Sequence, residues 1–107
     1  MLVRIASTWT SVDVGCGIGV FTRYYAQKGY LCTGIDITQQ AVEITRASLK
    51  AMGLKAQLLQ ASAEKIPLAD NSFDFVCSNG VVHHTQNPEK AVSEIFRVLK
   101  PGGILGI

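Results

Sequence analysis

Short apolar runs alternate along the chain with stretches where apolar residues return every three or four positions. The first kind predicts strands and the second helices. Ser11–Val14 is a short strand that runs straight into glycines. Gly19–Lys28 reads as a helix with Val20, Phe21, Tyr24 and Tyr25 on one face, and Gly29 stops it. Tyr30–Ile35 is a second strand and ends at Asp36. Thr38 caps the next helix, Gln39–Met52, whose stripe is Val42, Thr45, Leu49 and Met52 and whose stop is Gly53. Ala56–Gln60 is a third strand. Ser62–Ser72 is mostly loop, broken by Pro67 and the turn residues Asp70-Asn71-Ser72. Phe73–Ser78 is an apolar fourth strand of the kind buried on both faces. Asn87 caps a helix with Pro88 as its first residue and Glu89 near the positive end of the dipole. That helix turns Ala91, Val92, Ile95, Phe96 and Leu99 inward, carries Arg97 and Lys100 in its last turn, and stops at Pro101-Gly102. Gly103–Ile107 begins a fifth strand.

Strands alternating with helices predict βαβ units and a mainly parallel sheet. Because parallel crossovers are right-handed, the first three strands wind one way and the last two the other. The expected fold is α/β, Rossmann-like and doubly wound, in the order 3-2-1-4-5, as one domain over residues 1–107. The topological switch lies beside the first strand, so a ligand is expected at the carboxyl ends of strands 1, 2 and 4. Two helices should cover one face. Only Pro88–Leu99 and the short 62–68 segment should cover the other.

Composition adds three limits. Charged residues make up 17%, against about 25% in an average soluble domain. That excludes a disordered or tail-like chain and points to surface buried against another molecule. Ten basic and eight acidic residues give a net charge of +2. The basic residues are scattered along the sequence, so nucleic acid is not the expected partner. No run reaches the roughly 18 apolar residues of a membrane span. Met1–Thr10 contains Arg4 and lacks the apolar stretch of a signal peptide. Cys16, Cys32 and Cys77 are odd in number and far apart, with no metal-ligand spacing. Buried free thiols in a reducing cytoplasm are expected, and no metal.

The chemistry gathers at Asp13-Val14-Gly15-Cys16-Gly17-Ile18-Gly19, which follows a strand and opens a helix. Alternate glycines let the backbone turn sharply and approach a ligand, and the helix start offers unpaired N–H groups to an anion. A nicotinamide-type GxGxxG counted from Gly15 would put its third glycine at Val20. A nicotinamide-dependent oxidoreductase is therefore the remote alternative. No Gly-Lys-Ser/Thr follows, which excludes a P-loop. Asp36 stands 17 residues after Gly19, at the end of the second strand. An acid there accepts hydrogen bonds from two ribose hydroxyls and repels a 2′-phosphate.

Six segments together carry a resemblance: Asp13–Gly19, Gly34-Ile35-Asp36, Ser62–Leu68, Asp70–Asp74, Val81-Val82-His83-His84 and Leu99–Gly103. In that order they resemble class I S-adenosylmethionine-dependent methyltransferases, more narrowly the small-molecule branch with the ubiquinone and menaquinone enzymes. The resemblance covers roughly residues 11–107 and leaves 1–10 unassigned. It implies that Gly15, Cys16, Gly17 and Gly19 form the loop holding the methionine portion of the cofactor. Asp13 would reach the methionine amino group, directly or through water. Asp36 would bind both ribose hydroxyls, Ile37 would pack on the adenine, and Ser62 and Ala63 would meet its edge. Asn79 would stand near the methionine amino group. Phe73, Asp74 and the Leu99–Gly103 turn would be mainly structural. The family usually has Asp where this chain has Ser62; a neutral hydroxyl holds the adenine amino group less strongly, by about 1 kcal/mol.

Methyl transfer is an in-line displacement at a carbon activated by sulfonium. The protein mainly aligns the partners and excludes water, and a base is needed only where the acceptor must lose a proton. His83 and His84 are the candidates for that role. The family's usual helices before the first strand and hairpin after the fifth have no counterpart here, so the resemblance implies a truncated core. Such a core is expected to pair, as a homodimer or with a partner chain, through its less covered face or its strand-five edge. The competing expectation is a non-catalytic or partner-dependent cofactor-binding module. The acceptor is expected to be a small molecule.

Overall fold

In the computed structural model, residues 9–78 and 85–106 are described. Five strands form one parallel sheet: β1 (Thr10–Val14), β2 (Leu31–Asp36), β3 (Gln57–Gln60), β4 (Phe73–Ser78) and β5 (Leu99–Gly106). Their order is β3-β2-β1-β4-β5, as the handedness of the crossovers predicts. Between them run α1 (Val20–Gln27), α2 (Gln39–Ala51) and α3 (Pro88–Val98). Thr38 caps α2 by accepting the Ala41 N–H, and Asn87 caps α3 by accepting the Lys90 N–H, both as their side chains favour.

The main core lies between the sheet and α3. Val12, Val14 and Val76 are fully buried against Ala91, Ile95 and Val98, with Ala63 and Ile66 closing the layer. The face expected to be poorly covered is therefore well packed. Exposed apolar surface lies on the opposite side, where Ile104, the register partner of Phe75, is 54% exposed.

Four other expectations are corrected. The buried residue of α1 is Thr22, while Val20, Phe21 and Tyr24 face outward. Only Tyr25 of the predicted face packs inward, on Phe75 and Tyr30. A buried carboxylate beneath the helix decides this orientation, because Thr22 supplies its hydrogen bond. In α2 the stripe Val42, Thr45 and Leu49 is buried, whereas Met52 is exposed; in α3, Val92 and Phe96 are exposed.

Finally, Leu99 and Lys100 belong to β5 and not to the helix. The residue before Pro101 is biased away from helical backbone, and Leu99 already pairs with Phe73. A bulge then takes up the slack before Phe75 meets Ile104. Gly103 is forced at this bend: a Cβ there would lie 2.6 Å from the Leu99 side chain and 2.9 Å from the Lys100 carbonyl. Asp74, as expected, is structural. It accepts from the Thr10 N–H at 2.9 Å and from Lys100 Nζ at 3.2 Å, and these partners, the Thr10 N–H first, hold its carboxyl below the usual range.

Candidate functional site

The carboxyl ends of β1 and β2 meet at the glycine loop. Gly15 and Cys16 both donate their backbone N–H to the Ile35 carbonyl, at 2.7 and 2.8 Å. Those two bonds turn the chain back over β2 as soon as β1 ends. Gly15, Gly17 and Gly19 all have positive φ, of 77°, 55° and 87°, a region side chains penalise. Thr45 of α2 closes the loop from below by donating its hydroxyl to the Gly17 carbonyl at 2.9 Å. At Gly19 the constraint is also steric, since a Cβ would lie 2.6 Å from Thr45 Cγ2. At Gly17 a Cβ would meet nothing within 4 Å, so the backbone there faces open space.

Asp36, at the end of β2, binds the other side of this turn. Its Oδ2 accepts the Gly17 N–H at 2.9 Å, and its Oδ1 accepts the Thr38 N–H and hydroxyl, each at 3.0 Å. The carboxylate is thus fixed between loop and helix cap; Oδ2 keeps one open lone pair, and Oδ1 gains one when the Thr38 hydroxyl gives up its bond. Asp13 sits deeper, only 4% exposed. Thr22 donates its hydroxyl to Asp13 Oδ2 at 2.9 Å. Burial outweighs that bond and raises the Asp13 carboxyl to about 6. Cys16 is buried beside Thr45, and burial pushes its thiol up to about 11, which makes it an inert packing group. All three cysteines are buried free thiols, as expected.

A cavity of about 480 Å³ opens beside the loop, lined by Gly15, Asp36, Ile37, Ala61, Ser62, Ala63, Glu64, Thr85 and Gln86. That size is within the range of small-molecule sites. Ser62 faces it with its hydroxyl accepting the Glu64 N–H at 3.0 Å, so its own proton and a second lone pair remain for a ligand. Ile37 is 66% exposed and offers an apolar shelf at the cavity's edge. Of the residues singled out from sequence, Gly15, Asp36, Ile37, Ser62 and Ala63 come together here. Asp13, Cys16 and Gly19 are buried behind the loop. Asn79, His83 and His84 lie outside the described residues.

Several contributors carried no sequence signal. Glu64 accepts the N–H groups of Gln86 and Asn87 at 3.1 and 3.3 Å, which ties the cavity wall to the start of α3. Arg97 clamps the wall from behind. It donates to the carbonyls of Ile66 and Leu68 and pairs with Glu94, whose own Oε1 accepts the Ile66 N–H. Thr45 stands on the predicted apolar stripe of its helix, which is the one available hint of its role; Thr22 lies off the predicted face and carries no such signal.

The site compares directly with known proteins. A family model described as a methyltransferase domain matches residues 12–107. The chain belongs to that family. This methyltransferase chain is 37% identical over 94 residues to the malonyl-[acyl-carrier protein] O-methyltransferase of Enterobacter lignolyticus, covering 88% of the chain and 36% of that protein. It is 34% identical over 93 residues to the ubiquinone biosynthesis O-methyltransferase of Azoarcus, covering 86% of the chain and 40% of that protein. It superimposes with a TM-score of 0.79 on a SAM-dependent methyltransferase from Aquifex aeolicus, at 31% identity, over 87% of this chain and 52% of that one. The methyltransferase core described here thus spans well under half the length of those two curated relatives. Its sheet and sequence together identify the class I S-adenosylmethionine-dependent group.

The cavity suits that cofactor on its own geometry. A fixed strand-end carboxylate has one open lone pair for a sugar hydroxyl and a second once the Thr38 hydroxyl turns away, open backbone at Gly17 admits a close-lying chain, and Ile37 with Ala63 offers an apolar bed beside the Ser62 hydroxyl. Among the described residues, no His, Cys, Asp and Glu group could hold a metal ion.

Proposed function

We propose that this chain is the cofactor-binding core of an S-adenosylmethionine-dependent methyltransferase acting on a small-molecule acceptor. The observation that carries the reading is the Asp36 carboxylate, bonded to the glycine loop at 2.9 Å and facing a cavity with an apolar far wall. Asp36 would take both ribose hydroxyls. Gly15, Gly17 and Gly19 would lie along the methionine portion, and Asp13 behind them would attract its ammonium group. Ile37 and Ala63 would bed the adenine, with Ser62 at its edge, and Asn79 would complete the amino-group site. When bound, the cofactor supplies a methyl group already activated by the sulfonium.

The chain's own task is then alignment and dryness, which together are worth several kcal/mol. Arg97 and Glu64 keep the adenine wall fixed, and Thr45 keeps the loop turned. His83 or His84 would accept a proton where the acceptor has one to lose. Calorimetry should give saturable heat with S-adenosylhomocysteine and none with nicotinamide dinucleotides; the reverse order overturns the reading. Transfer of a labelled methyl group to a panel of phenols, carboxylates and amines tests the enzyme directly. Binding without transfer to any of them would favour a partner-dependent cofactor module.

Three buried, unpaired thiols support a reducing compartment such as the cytoplasm. Among the described residues no helix is long and apolar enough to cross a membrane. The exposed Ile104, Val20 and Tyr24 support pairing with a second copy on that side of the sheet. Sedimentation of a monomer at tens of micromolar would reject the pairing.

A further inference from the structure

Among the described residues β3 is a short edge strand of the sheet, paired with β2 alone, as β5 at the other edge is paired with β4. Beside it, two connected hollows of about 500 and 600 Å³ run between β3 and α2. They share Arg46, Lys50 and Leu58, and together extend from Gly53 below the strand to Gln60 at its end. The floor is apolar, with Val42, Leu49, Leu54 and Leu58. The rim is basic. Arg46 and Lys50, one turn apart on α2, and Lys55, just before β3, are all exposed. Three of the chain's ten basic residues thus line one rim.

The acids are elsewhere. Asp70, Glu94 and Asp74 are held by Arg97 and Lys100, Asp36 and Glu64 line the cofactor cavity, and Asp13 is buried. Glu43 alone faces the groove, and it already accepts the Gln39 amide at 2.9 Å. Among the described residues, Arg46, Lys50 and Lys55 make no ion pair.

We propose that this groove docks an acidic, extended peptide segment of a partner protein, which adds a strand to β3. The edge strand supplies unpaired N–H and C=O groups, and the leucine floor takes alternate side chains of the added strand. Three cations select carboxylates on that segment. The same cations repel a second copy of this basic rim, so the edge is protected from self-association while staying open to a partner of opposite charge. The apolar floor and free edge favour a peptide over a nucleic acid, which would look for phosphate contacts with aromatic stacking.

Fluorescence anisotropy with the 107-residue chain tests this, using a labelled ten-residue peptide that alternates Glu with Val. It should bind saturably and weaken as salt rises. The triple variant R46E/K50E/K55E, checked by circular dichroism for an intact fold, should bind it on the order of tenfold more weakly or worse. A Lys-for-Glu peptide should fail in the same way. On the unaltered chain, N-methylation of alternate peptide bonds should abolish binding, which reports strand addition independently of any variant. Equal binding to the unaltered chain and the triple variant, indifference to N-methylation, or tighter binding of a ten-nucleotide single-stranded RNA would each overturn the proposal.

Discussion

Asp36 and Gly17 are joined by a hydrogen bond of 2.9 Å between the carboxylate at the end of β2 and the backbone N–H in the middle of the glycine loop. The bond is charge-assisted, so it is stronger than a neutral one. It makes the ribose-binding acid and the methionine-binding loop one mechanical unit. A ligand that engages either half meets a partner already in place, which limits the ordering cost of binding.

Replacing Asp36 should therefore damage affinity beyond the loss of one contact. Asp36→Ala removes a charged acceptor of two sugar hydroxyls, a cost of about 3 kcal/mol, or roughly 100-fold in Kd. Asp36→Asn keeps one oxygen and the shape but no charge, and should lose on the order of tenfold. Calorimetric titration with S-adenosylhomocysteine reads both. Equal affinity in Asp36→Ala and the unaltered chain would remove the acid from the site.

Glycine positions separate fold from function. Gly17→Ala and Gly53→Ala both place a methyl in open space at positive φ, of 55° and 69°. Each should lose about 1 kcal/mol in urea unfolding. Only Gly17→Ala should also lose cofactor affinity, because its methyl occupies the space a ligand needs. Gly19→Ala adds a collision with Thr45 at 2.6 Å to the strained backbone, and should cost more, on the order of 2–3 kcal/mol. An affinity loss in Gly53→Ala equal to that in Gly17→Ala would show that backbone strain alone explains the effect.

The local parts of this site are legible in the sequence, and the long-range parts are not. Strand, alternate glycines, helix and strand-end acid follow one another along the chain, so Gly15–Gly19 and Asp36 announce themselves. The strand order follows from crossover handedness alone. The outward turn of Val20 and Tyr24 is different. Periodicity locates an apolar stripe but does not say whether a buried acid such as Asp13 claims the opposite face. The clamp of Arg97 on the carbonyls of Ile66 and Leu68 spans 31 and 29 residues. It depends on tertiary placement that no local pattern encodes.

That clamp yields its own test. Arg97→Met keeps the stem packing and removes the fork. Two carbonyls lose their donor and Glu94 loses its cation, so stability should fall by about 2 kcal/mol. Burial is partial, and solvent offsets some of the loss. The released segment carries Ser62 and Ala63, so affinity for S-adenosylhomocysteine should fall several-fold more than affinity for free methionine. A uniform loss across both ligands, measured by competition, would mean that Arg97 acts on the fold alone and not on the adenine wall.

Asp13 makes stability and binding oppose each other as pH changes. Burial raises its carboxyl from 3.8 to about 6 in the folded chain. Below about pH 4 it is protonated folded and unfolded alike, and carries no penalty. Between about 4 and 6 the unfolded chain releases the proton first, so the folded state loses ground as pH rises. Above about 6 the full penalty applies. Two units at about 1.4 kcal/mol each make it about 3 kcal/mol. Asp13→Asn retains an acceptor for Thr22 without the charge, so in urea unfolding it should gain stability over the unaltered chain at pH 7 and gain little at pH 4. Asp74 and Glu94 lose stability in the opposite direction as pH falls, but they are common to both chains and cancel in the difference. Binding should run the other way. The ionised carboxylate attracts the ammonium group of the methionine portion, so affinity should rise as pH passes through about 6 in the unaltered chain and stay flat in Asp13→Asn. A stability difference independent of pH would show that the carboxyl ionises as it does in water; a pH-dependent affinity surviving in Asp13→Asn would assign the ammonium group to another residue.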